Sequence, residues 1–238
     1  MTGLVAACAV VGLLIGPSLH HLGVRAALRR PFDGVWPRCE GCNERRGLFV
    51  SACRACRGRI RRREPAIWLA SAVGSGLAAW VAGPTWVLTA HLVFVWLTTV
   101  LVVTDLDAKL IPNRVLYPGT AAVALLLAAG AALDGRISDL RTAALCAAGY
   151  FGVLLLVAVL SRGGFGMGDV KLAVVIGLVL GLWGWRVFAR GIFFTGLVGG
   201  IPALYLIARG RAGRGDELPY GPAMIFGSWA GLVFTGML

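Results

Sequence analysis

Apolar residues run through this chain in long stretches, broken by short polar turns and by one long arginine-rich segment. Eight stretches stand out: Gly3 to His20, Ala66 to Gly83, Thr85 to Thr104, Val115 to Leu133, Leu140 to Leu160, Val170 to Trp183, Val187 to Ala208 and Pro219 to Leu238. Most approach twenty residues, the length at which a helix rising 1.5 Å per residue crosses a hydrocarbon core about 30 Å thick. The sixth is the shortest, and Gly149 and Tyr150 interrupt the fifth. This pattern predicts an all-α polytopic membrane protein of about eight transmembrane helices. The opening MTGLVAACAV lacks a basic leader, and its apolar run ends in Pro17 and two histidines rather than a small-residue cleavage site. It is therefore expected to be a retained first helix.

Composition strengthens that reading, with 58% hydrophobic and 14% charged residues and a mean hydropathy of +0.80. The net charge of +12 would suit nucleic acid, but its distribution points elsewhere. Twelve arginines lie between His21 and Pro65, and grouping alternate loops puts 19 of the 23 Lys and Arg on one side of the membrane. That side is expected to be cytoplasmic, in a plasma (inner) membrane, with both termini outside. The basic loop is then a membrane-surface and topology feature, the bilayer is its partner, and no nucleic acid is expected. Three regions follow: residues 1–20 as the first helix, 21–65 as a cytoplasmic insertion, and 66–238 as the transmembrane core.

The insertion holds CEGC at Cys39 to Cys42 and CRAC at Cys53 to Cys56. Two such knuckles supply four thiolates for a tetrahedral, structural zinc, and a loop this small and charged cannot bury enough apolar surface to fold unaided. Two disulfides, or an iron–sulfur centre on the same ligands, are the competing readings. Cys8 and Cys146 lie within apolar helices and read as small core residues.

Three acids gather at the expected cytoplasmic helix ends: Asp105 and Asp107 in TDLDAKLIPN, and Asp169 in GFGMGDVKL. The first two have an ordinary reading as loop acids, and Asp169 has one as a first-turn acid favoured by the helix dipole. Yet an ionisable group at membrane depth, preceded by glycines that let the backbone unwind, points to function. Two carboxylates at a partly desolvated site share a proton, so one serves as general base on a water and the other as general acid. That is aspartyl protease chemistry, and the same acids would equally suit a proton-coupled transporter.

These residues resemble the type IV prepilin peptidases, intramembrane aspartyl proteases of the GxGD type. GMGD at 166–169 with Lys171 is similar to the GxGDxK signature, and DLDAKLIPN at 105–113 to the first-aspartate motif D-x(5)-[IL]-P. The paired CxxC knuckles after the first helix, and LPYGPAMIFG at 218–227, which resembles the motif opening the last helix, complete the match. The resemblance implies an endopeptidase that removes the basic leader of prepilins or pseudopilins at the cytoplasmic face. It implies Asp169 and Asp105 as the catalytic pair, with Asp107 as an alternative or accessory acid. It further implies that Gly166 and Gly168 let the substrate strand approach, that Lys171 biases the carboxylates toward ionisation, and that Cys39, Cys42, Cys53 and Cys56 hold zinc. Longer members also methylate the new N-terminus from S-adenosylmethionine. Here GPSLHHLGVRAALRR and NERRGLFVSA depart from the family pattern in that region, so the donor is expected only if this activity is kept. A transporter would lead one to expect paired segments repeating between halves, which the chain does not show. A zinc-dependent membrane adaptor, its helices merely anchoring it, is the third alternative.

Overall fold

The computed structural model describes residues 1–32, 34–50, 52–57, 63–160, 166–201, 205, 209 and 220–234. Among them the chain forms eight α-helices: α1 (Thr2–Ala27), α2 (Glu64–Ala82), α3 (Leu88–Ala108), α4 (Asn113–Leu133), α5 (Ile137–Leu160), α6 (Met167–Gly181), α7 (Trp185–Thr195) and α8 (Gly221–Val233). A π turn at Gly196–Gly200 continues α7. The first five are long and apolar enough to span a membrane. The other three are described over 15, 11 and 13 residues: α6 answers to the shortest apolar stretch, and the helix begun by α7 runs on through the π turn. The expected ends of the seventh and eighth segments, Ala208 and Leu238, lie outside the described residues, as do Gly163 and Gly164.

Consecutive helices pack as antiparallel hairpins: α1 with α2, α3 with α4, α5 with α6, and α7 with α8. Glycines at four-residue spacing make three of these contacts close. A Cβ at Gly12 would stand 2.5 Å from Ser71 O, one at Gly177 2.5 Å from Ala147 Cα, and one at Gly231 2.8 Å from Gly191 Cα. Their partners in spacing, Gly16, Gly181 and Gly227, are equally hemmed in. Lipid tails are as apolar as leucine, so helices in a bilayer gain by close backbone approach rather than by escaping water.

The core runs along α3 and α6. Of the apolar window of α3, 61% is buried, against 28% for α1, α4 and α5. Phe94, Leu101, Leu172, Ile176 and Leu180 meet Leu116, Leu127 and Met224 there. Leu125, Leu160, Val159 and Phe226 face outward, forming an apolar exterior suited to lipid and not to water. One end of the bundle is closed by a polar network. Trp183 Nε1 donates to His91 Nε2 (2.9 Å), while His91 Nδ1 meets Val87 O (2.8 Å). Arg136 lies 4.6 Å over the Trp183 ring and pairs with Asp139. Asp134 accepts from the N–H groups of Trp86 and Val87 where α3 begins.

The cysteine loop sits at the other end. It is docked on α1, which continues seven residues past His20 to Ala27. His20, His21 and Arg25, which look like a membrane exit in sequence, are buried beneath the loop. Arg38 N donates to His21 Nδ1 (3.3 Å), Arg25 reaches Asn43 Oδ1 (3.4 Å), and Arg46 forms a bidentate pair with Glu64, the first residue of α2. From α4, Arg114 donates to the carbonyls of Arg25, Ala26 and Arg30, tying the end of α1 to the bundle.

Candidate active site and metal centre

Asp105, Asp169 and the cysteine loop share one end of the bundle. Asp105 lies one turn before α3 stops at Lys109, whose left-handed φ of 49° turns the chain toward the extended Pro112 and α4. The residue is 7% exposed, and its Oδ2 is buried with no hydrogen-bond partner among the described residues. Asp107, two residues on, is turned about 200° around the same helix. It faces Arg63 Nη1 at 3.9 Å, away from Asp105.

Asp169 is the third residue of α6, which opens on the extended Gly166. Its N–H donates to Gly166 O (3.0 Å), and Oδ2 lies 3.2 Å from where a Gly166 Cβ would stand. Gly168 has a different use. A Cβ there would meet Ile111 Cβ at 2.9 Å, so the missing side chain lets α6 seat directly on the loop that follows Asp105. Lys171 turns toward α4, donating to Asn113 Oδ1 (3.1 Å) and lying 5.4 Å from the Tyr117 ring centre.

The two carboxylates meet at Gly221, the first residue of α8. A Cβ at Gly221 would stand 3.4 Å from Asp169 Oδ1 and 3.5 Å from Asp105 Oδ2, so these oxygens are no further apart than twice the larger distance. Tyr220 stands just before it, and Tyr150 of α5 is buried. Sequence reasoning gave none of these three residues a role. The signals were present as the unassigned LPYGPAMIFG motif and as a lone tyrosine interrupting an apolar run.

The four loop cysteines are free thiols whose sulfurs all lie within 4.8 Å of one another. Cys39 and Cys56 approach to 3.4 Å, and Cys42 and Cys53 to 3.5 Å. Four sulfurs at 2.3 Å around a tetrahedral zinc would stand about 3.8 Å apart, so the set fits a structural metal with only small adjustment. The two knuckles repeat one local geometry. Asn43 N donates to Cys39 O and Arg57 N to Cys53 O, both at 2.9 Å, and Asn43 and Arg57 each take a left-handed φ, 58° and 55°. The N–H groups of Cys42 and Gly41 draw the Cys39 thiol down to about 6, and those of Cys56 and Ala55 lower Cys53 in the same way, favouring two thiolates, while Cys42 is pushed up to about 12: the Glu44 N–H pulls it down, but its hydrogen bonds to the neighbouring sulfurs outweigh that. A cavity beside the loop is lined by Arg25, Arg30, Arg38 and Arg46 together with Glu40 and Glu64, the last engaged by Arg46. The mostly cationic wall of this cavity does not suit the sulfonium of S-adenosylmethionine.

Residues 92–204 match the type IV leader peptidase family. A prepilin leader peptidase/N-methyltransferase of Bacillus subtilis is 30% identical over 232 residues, spanning 92% of this chain and 90% of that protein. The chain belongs to the type IV leader peptidase family. Proteins of the same name from Pseudomonas aeruginosa and Neisseria gonorrhoeae are 29% and 31% identical over 185 and 193 residues. The match covers 76% and 79% of this chain but only 62% and 63% of theirs. No solved structure matches. The family match runs from within α3 through α7 and so takes in both aspartates, while the Bacillus subtilis relative extends it across nearly the whole multi-pass chain.

Proposed function

We propose that this protein is a prepilin leader peptidase, an aspartic endopeptidase that cuts the basic leader of prepilins or pseudopilins at the cytoplasmic face of the inner membrane. The observation that carries the proposal is the meeting of Asp105 Oδ2 and Asp169 Oδ1 around Gly221, one of these oxygens buried without a partner. In this mechanism the pair holds a single proton. The ionised carboxylate takes a proton from a water as its oxygen attacks the scissile carbonyl carbon, and the protonated carboxyl gives its proton to the carbonyl oxygen. When the tetrahedral intermediate collapses, the C–N bond breaks and the amine leaves with the proton gained from water. The proton on the intermediate's hydroxyl returns to the other carboxylate, and the pair again holds one.

Ile111, packed against Gly168 at the start of α6, walls the site. A substrate held there must be extended, because a helix would hide the carbonyl within its own hydrogen bonds. The cysteine loop has a supporting role, its zinc joining the two knuckles into one body that rests on α1 and α2. S-adenosylmethionine has no place in this proposal.

The test is co-expression with a prepilin carrying a basic leader, followed by the mobility shift on cleavage. Asp105→Asn and Asp169→Asn are each expected to abolish processing at normal abundance, and Asp107→Asn to retain it. Processing that survived both of the first two would refute the assignment.

A further inference from the structure

The LPYGPAMIFG motif enters none of the steps above, yet a side chain added at its glycine would touch both acids. Gly221 is buried at the start of α8, where Pro222 in the first turn already favours a helix. Its φ is not in the left-handed region, which among the described glycines is confined to Gly34, Gly83, Gly135 and Gly184. A Cβ would meet Asp169 Oδ1 and Ile111 Cδ1 at 3.4 Å and Asp105 Oδ2 at 3.5 Å, ordinary contact distances. Alanine therefore fits, and it is the better helix former. Neither backbone conformation nor packing calls for glycine here. Gly168 differs, since there the missing side chain is filled by Ile111 at 2.9 Å.

What glycine preserves at 221 is empty space between two carboxylate oxygens, one of which has no partner among the described residues. We infer that Gly221 is a positioning residue for the cleavage reaction, keeping clear the volume that the attacking water and the scissile carbonyl occupy between Asp105 and Asp169. A methyl group there would touch both reacting oxygens while offering neither a hydrogen bond. It would displace the water or the carbonyl by about 1 Å, a misplacement that costs on the order of 100-fold in rate. The inference rests on the aspartic peptidase reading, and it places a third helix at the reaction centre.

The experiment compares purified wild type, Gly221→Ala, Asp169→Asn and Gly149→Ala on a prepilin substrate. Gly149→Ala is the control, an α5 glycine with nothing within 4 Å of its added Cβ. Gly221→Ala is expected to lower kcat on the order of 100-fold while KM stays within about threefold and thermal stability equals or exceeds wild type. Gly149→Ala is expected to cleave normally. Wild-type kcat in Gly221→Ala would overturn the inference, and so would a loss of activity that follows a matching loss of stability. Cleavage that persists in Asp169→Asn would instead overturn the peptidase reading beneath it.

Discussion

Replacing Arg46 by methionine isolates the ion pair that fastens the cysteine loop to the membrane helices. Arg46 is the loop's bidentate partner for Glu64, whose side chain is only 2% exposed. Each hydrogen bond to a charged group contributes about 1.5–3 kcal/mol, and removing one member of a buried pair costs about 3–5 kcal/mol, because the other is left desolvated. His20 Nδ1, 3.9 Å from Glu64 Oε2, offers partial compensation, so a loss near the lower end, about 3 kcal/mol, is expected for Arg46→Met. Pairing it with Glu64→Met removes both charges, and apolar replacement of a whole pair is often nearly neutral, so the double variant should return to within about 1 kcal/mol of wild type. Denaturant unfolding of zinc-loaded protein in detergent, run as a double-mutant cycle, reads a coupling of about 2 kcal/mol or more. Additive losses, with no recovery in the double variant, would refute the idea that this pair is what holds the loop down.

Two further outcomes follow from other parts of the molecule. Cys39→Ser combined with Cys53→Ser should abolish bound zinc and lower protein abundance more than turnover per folded molecule, measured by metal analysis and quantitative blotting; equal abundance with lost turnover would count against a structural metal. His91→Ala removes the acceptor of the Trp183 indole and leaves a cavity. It should cost about 2–4 kcal/mol and shift Trp183 emission to longer wavelength, with cleavage retained because the change lies at the opposite end of the bundle.

Much of this was legible in the sequence because hydropathy and cysteine spacing act locally. All eight apolar segments correspond to helices, and α4 and α5 end at Leu133 and Leu160, where the apolar runs stop. The extent of α1 was not legible. His20, His21 and Arg25 look like residues leaving the membrane, and only the loop folded over them explains how the helix continues. The choice between Asp105 and Asp107 is a matter of helix phase: two residues place them on opposite faces, and which face looks inward depends on α6 and α8, far away in sequence. Lys171 illustrates the same limit, since proximity in the motif to Asp169 said nothing of Asn113 and Tyr117, which receive its side chain. Gly221 was visible as part of a motif, but its use depends on two carboxylates from other helices.

The hairpin pairing also bears on how the protein is made. Asp105, Asp169 and Gly221 belong to three different hairpins. On the proposed reading, a chain emerging from the ribosome brings its two acids together only once α6 has docked on the earlier helices, so a copy that stops before α6 would lack the pair.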